Sequence, residues 1–192
     1  TIGDGTGGHT DEQINSPLGI ATVPSHPHLN IVTSSCSHQV RVYNVSEESG
    51  RLLSQIGRED GRHGDGVGEW NTPWGVVITA NSMQVIVADK DNGRLQVLSL
   101  TISDGGETAM LAVVREIGKG QLRDPTGLTL HSVGGDRQTV YVAEIGANHI
   151  SEWELDGTML RTIGHGVLNT PLDVAVLPLS GRIAVADTYH HR

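Results

Sequence analysis

Phenylalanine is missing from this chain, and three tryptophans and three tyrosines are all the aromatic residues it has. A core without many large rings has to be filled by Val, Ile, Leu and Ala, and such side chains suit sheets stacked closely face to face. Cysteine is nearly absent too. With Cys36 alone no intrachain disulfide can form, which leans toward a reducing, intracellular compartment and otherwise leaves localisation open. Basic residues are in deficit, 13 against 22 acidic ones, for a formal charge of −9. Phosphate recognition and attachment to anionic lipid both draw on a basic surface, so RNA and membrane surfaces are disfavoured partners. No apolar run approaches the ~18 residues of a membrane span. What the chain has in quantity is glycine, 25 residues, set among β-branched and turn-forming polar residues. That mixture points to short strands and tight turns, an all-β fold.

The strands fall into a repeat. Four openings share one grammar, Pro, a residue, then Gly or Asp: Pro17-Leu18-Gly19, Pro73-Trp74-Gly75, Pro125-Thr126-Gly127 and Pro171-Leu172-Asp173. They lie 56, 52 and 46 residues apart, as equal core units joined by loops of variable length would. A second landmark ends 16–19 residues after each Pro: Val32-Thr33-Ser34, Val87-Ala88-Asp89, Val142-Ala143-Glu144 and Val185-Ala186-Asp187. A third alternating strand then begins at Val40, Leu95 and Ile150, and a fourth element closes on Ile56-Gly57, Ile117-Gly118 and Ile163-Gly164. Ile2-Gly3 fits that closing slot at the start of the chain. Four-strand units following one another directly are the pattern of a β-propeller, and a generic β-sandwich does not account for the recurring landmarks.

These landmarks resemble NHL repeats, a family named for an Asn-His-Leu signature after the Val-Ala-Asp turn. Asn148-His149-Ile150 nearly reproduces it, and Val87 to Leu95 is similar to the variant with Arg before the aliphatic residue. Val185 to Arg192 also resembles it; the first repeat departs most, with Ser34 in place of the acid and His38-Gln39 in the turn. The resemblance covers nearly the whole chain. It implies antiparallel four-stranded blades, here about three and a half, as part of a six-bladed ring. The approximate repeats are 3–57, 58–118, 119–164 and 165–192, one incomplete propeller region. The missing blades are expected from the same chain or, second, from self-association.

Motifs of chemistry are thin. Gly3-Asp4-Gly5-Thr6-Gly7-Gly8 satisfies the dinucleotide spacing, but a strand rather than a helix follows, so it reads as a Gly-rich turn. Asp60, Asp65 and Glu69 lie in the longest inter-blade loop, residues 57–72, without the ligand order of a calcium loop. The ten histidines form no metal-binding spacing, and no Gly-x-Ser-x-Gly nucleophile motif occurs. No cofactor or metal is expected. Asn44-Val45-Ser46 is a glycosylation sequon, of consequence only in a secreted protein.

The function expected is therefore non-catalytic: a scaffold presenting a loop face to a protein partner. That face joins the inter-blade loops to the turns after Val-Ala-Asp, with Arg62, His63, Trp70, Trp74, Arg94 and His149 as contact residues. Tryptophan and arginine are favoured at such surfaces. Two alternatives stand behind it. One is an RNA-binding face, using Arg58, Arg62, Arg94, Arg123 and Arg192 against the excess of acid. The other is a propeller enzyme of the metal-dependent lyase or hydrolase type, for which Asp173 is the one acid in the inner-strand slot.

Overall fold

A computed structural model describes residues 14–46, 50–79, 81, 83–132, 134, 137–177 and 180–191. The Gly3–Gly8 motif, the Ile2-Gly3 remnant and Arg192 lie outside these residues. The described chain is almost wholly strand and turn. β1 (Pro17–Val23), β2 (His26–Ser34), β3 (Gln39–Asn44) and β4 (Arg51–Gly57) form one antiparallel sheet in chain order. β5 (Pro73–Ile78), β6 (Gln84–Asp89), β7 (Arg94–Ser103) and β8 (Thr108–Ile117) form a second in the same order. β9 (Pro125–Ser132), β10 (Gln138–Glu144), β11 (His149–Glu154) and β12 (Met159–Ile163) form a third. β13 (Pro171–Val176) and β14 (Ile183–Asp187) make a two-stranded sheet. Each repeated Pro thus opens a first strand, and each Val-Ala-Asp block closes a second.

The chain divides into two compact units, residues 1–87 with 96–115, and residues 88–95 with 116–192. In the first, the apolar alternation of β2 and β3 buries Leu29, Ile31, Val40 and Val42 against Val76, Val85, Val87 and Leu98. Trp70 sits inside that cluster with no exposed surface. In the second, Tyr141, Ala143, Ile150 and Val174 form the core, with Ile163, Leu168 and Val185 packed on it. Both cores are built from aliphatic side chains with only an occasional ring, as the lack of phenylalanine requires.

The landmark residues have mechanical reasons. Inside each unit the first strands of successive sheets lie side by side, β1 with β5 and β9 with β13. A Cβ on Gly19 would stand 2.3 Å from the carbonyl oxygen of Trp74. On Gly127 it would stand 2.5 Å from Cα of Asp173. Glycine at positions 19 and 127 is therefore demanded by backbone-to-backbone approach.

The residue before each Pro, namely Ser16, Thr72, Asp124 and Thr170, adopts a positive φ between 49° and 57°. Such a backbone is unfavourable for non-glycine residues, most of all for β-branched threonine. Side chains from the turn after the second strand hold two of them. His38 Nδ1 accepts from the Thr72 N–H at 3.1 Å, and Asn148 Oδ1 accepts from the Thr170 N–H at 2.7 Å. His38 and Asn148 occupy equivalent left-handed positions, with φ 51° and 54°.

A second clamp uses the residue that ends the second strand. Glu144 Oε2 accepts from the Arg123 N–H at 2.8 Å, and Asp187 Oδ1 accepts from the Asn169 N–H at 2.7 Å. In the divergent first repeat the Ser34 hydroxyl takes this place, accepting from the Asn15 N–H at 3.1 Å. In all three cases the amide belongs to the residue two before the repeat's Pro. The Asn of the signature and the acid of Val-Ala-Asp are thus fastenings of the incoming strand.

Candidate functional site

The turns and inter-blade loops leave a cleft of about 440 Å³ in the second unit. One wall is the 3-10 turn Lys90–Asn92 with Gly93, and the other is the loop from Gly120 to Asp124, with Gly146 at the rim. Both walls are tied down. Asp89 receives Asn92 Nδ2 at 2.9 Å and Arg94 Nε at 2.7 Å. The opposite loop turns on the Gln121 and Leu122 amides, which both donate to the Gly118 carbonyl, and is anchored by the Glu144 clamp on Arg123. Leu122 is buried beneath, and its carbonyl would meet a Cβ on Gly93 at 2.8 Å. Only glycine fits there, where the other turns carry His38 and Asn148.

The cleft is polar and of mixed sign. Lys90 Nζ lies 2.5 Å from Asp91 Oδ1. Arg123 is exposed beside Asp124, whose carboxylate oxygen would meet a Cβ on Gly146 at 2.4 Å. Arg94, directly after the turn, lies below the surface. Its guanidinium is wholly buried, paired with the equally buried Asp89 and with Glu116. Lys119 approaches Glu116 from outside at 3.3 Å. A buried guanidinium and carboxylate so arranged hold the turn to the sheet and are not open to a partner.

His149 stands at the next turn. Its Nε2 is 3.3 Å from Glu144 Oε1, which also accepts the Ser151 hydroxyl at 2.5 Å, and Ser151 in turn accepts from Trp153 Nε1. The His149 ring lies 6.3 Å from that of His165, and its buried Nδ1 has no hydrogen-bond partner. The serine donates to the carboxylate, not to the imidazole, so this is not a nucleophile–base array. Among the described residues no group of three His, Cys, Asp or Glu side chains is placed to hold a metal ion.

In the first unit the loop after β4 supplies the other expected contacts. Arg58 bridges Asp60 and Glu69, at 2.8 and 3.2 Å. These bonds hold Asp60 far below the ordinary carboxylate range, its hydrogen bond from Arg58 foremost. Gln96 pins the loop from the sheet, its Oε1 accepting from the Gly68 N–H and its Nε2 donating to the Glu69 carbonyl. Arg62 and His63 are exposed, with the His63 ring 5.6 Å from His38. Trp74 is half-buried and its carbonyl receives the Thr33 hydroxyl at 2.5 Å. Trp70 differs from expectation: it is fully enclosed, with Nε1 unpaired, and fills the core.

Of the six residues expected at the surface, Arg62, His63, Trp74 and His149 therefore reach it at least in part, while Trp70 and Arg94 do not. The sequence reading passed over Lys90, Asp91 and Asp124, although each adjoins a landmark turn. Asn44, the sequon asparagine, is buried, its Oδ1 accepting from the Ser46 N–H and hydroxyl, so it is closed to a glycan in the folded chain. Cys36 is exposed, with Sγ 3.3 Å from Ser16 Oγ. No described helix is long and apolar enough to cross a membrane.

Comparison with known proteins agrees with this architecture. Residues 71–98 match the NHL repeat family model. No curated protein matches the sequence. Among solved structures, a chain of a nidogen/laminin complex aligns with TM-score 0.65 at 14% identity, over 97% of this chain and 65% of that one. Hydrazine synthase of Kuenenia stuttgartiensis aligns with TM-score 0.63 at 18% identity, over 95% and 44%. The periplasmic gluconolactonase of Pseudomonas aeruginosa aligns with TM-score 0.59 at 15% identity, over 88% and 42%. At these identities the likeness shows the fold alone, and this chain spans about half the length of most of them. Residues 71–98 thus carry an NHL repeat, and the chain has the fold of a partial β-propeller.

Proposed function

We propose that the chain is a binding module whose loop face receives a protein partner. The observation that carries this reading is the cleft between the Lys90–Gly93 turn and the Gly120–Asp124 loop. It is open and polar, and both walls are fastened by hydrogen bonds to acids that end second strands, Asp89 and Glu144. A rigid frame carrying exposed, variable loop residues is the arrangement in which binding surfaces commonly occur.

The charges favour protein over nucleic acid. Lys90 is followed by Asp91 and Arg123 by Asp124, so neighbouring residues alternate in sign. A phosphate backbone would meet repulsion at every second position, whereas a protein surface can match both signs. The likeness to a chain of the nidogen/laminin complex, itself a protein assembly, is in keeping with this.

Substitution tests the proposal. Arg123→Glu and Lys90→Glu should each weaken partner capture several-fold while leaving the unfolding temperature within a degree or two, because rim charges act mainly on association. Thr158→Glu, in the hairpin between β11 and β12 at the other end of those strands, should leave capture unchanged. Equal loss from all three, or none from the first two, would contradict the assignment of the face.

A further inference from the structure

The outer strand of a sheet leaves a row of backbone N–H and C=O groups without ladder partners, and natural sheets blunt such edges with charge, proline or shortness. The three four-stranded sheets end on β4, β8 and β12. β12 has five residues with Arg161 at its centre, and β4 is interrupted by Ser54 and Gln55. β8 has ten residues, and from Thr108 to Val114 it contains no charge, no proline and no glycine. One of its faces is used, with Leu111 in the core and Ala109 and Val113 packed against it. The other is bare: Thr108, Met110, Ala112 and Val114 are all exposed, Met110 by 63% and Val114 by 51%.

We propose that β8 is a self-association edge, on which a second copy of this chain pairs its own β8 antiparallel about Leu111. The register follows from charge and size. With Leu111 opposite Leu111, Glu107 of each copy faces Arg115 of the other, and Met110 faces Ala112, large against small. Moving the centre to Met110 or Ala112 sets Glu107 opposite Val113 or Ile117 and forfeits both ion pairs. Opposite charges directly across an antiparallel pair are favourable and like charges are not. The contact is isologous, so one strand satisfies both halves and the pair closes on itself.

Glu107 pairs within its chain with Arg51, but the two side chains are 64% and 55% exposed, an arrangement of little energy. Arg115 donates to the neutral Gln84 Oε1 at 3.0 Å.

Sedimentation velocity across a concentration series tests the pairing. The intact chain should dimerise. Glu107→Arg and Arg115→Glu should each weaken the dimer by about tenfold or more while keeping the circular dichroism and melting curve of the parent. An equimolar mixture of the two variants should dimerise again, because both cross-strand pairs are then of opposite sign. Met110→Lys, on the bare face, should also dissociate the pair. A monomer at every concentration would overturn the proposal. So would a dimer indifferent to the single substitutions, a loss that mixing does not restore, or open-ended aggregates.

Discussion

Trp70 fills the core of the first unit, and Arg94 ties its turn to Asp89 and Glu116. Both belong to the residue types common at binding hot spots, and both are wholly buried here. Trp70→Ala should cost about 3–5 kcal/mol through the cavity it leaves, and a large drop in the melting temperature is the readout. Arg94→Ala should cost a comparable ~3–5 kcal/mol, because Asp89 would remain buried without its strongest partner. Neither reports on a partner. The signature turn can be tested at the same scale. His38→Asn should preserve stability, since Asn148 of the third repeat holds the equivalent Thr170 amide with its own oxygen. His38→Ala should lose about 2 kcal/mol, from an orphaned Thr72 amide and an alanine forced into a left-handed backbone. Alternation and spacing exposed these positions in the sequence but not their roles. Whether a turn residue points outward or clamps a backbone amide depends on the neighbouring strand, which local pattern does not encode.

At the scale of the element, strand order was the most legible property. Each Pro marks a first strand and each Val-Ala-Asp a second because both are repeated mechanical necessities: a close backbone approach at Gly19 and Gly127, and an amide to be held. Gly19→Ala or Gly127→Ala should accordingly destabilise more than an alanine substitution at exposed Gly120, where a Cβ meets nothing. The third sheet also carries a pH dependence. Burial pushes the Glu152 carboxyl up, but hydrogen bonds from Arg161, Tyr141 and Thr139 outweigh this and hold it below the usual carboxylate range. A group so lowered contributes stability above the unfolded carboxylate pKa of about 4.3, and that contribution fades as pH falls toward its folded value. Thermal unfolding between neutral pH and pH 3 should therefore show Glu152→Gln less stable than the parent at neutrality, with the gap closing in acid. The unblunted edge of β8 was not legible. Its apolar alternation looks like that of any strand, and only the sheet order shows that among the described residues no strand lies beside it.

For the whole molecule, the balance of charge and the repeat narrowed the range of functions more than any single motif did. An acidic chain with a clamped, repetitive frame is suited to holding a surface in place. The surface proposed above lies in the region expected from the sequence, the inter-blade loops joined to the turns after Val-Ala-Asp. Its composition was not, because Lys90, Asp91 and Asp124 look like ordinary solvated turn residues until the two loops are brought face to face. Partner capture through this face should weaken with added salt, since its exposed groups are charged and lie at the rim. The most direct measurement is site-specific photo-cross-linking in an extract of the source cells, with the cross-linking residue placed at position 123 or, as a control, at position 158. One protein should be cross-linked repeatedly from position 123, not from 158, and be competed away by unlabelled chain. Cross-links from 158 alone, or the same proteins from both positions, would contradict the proposed function.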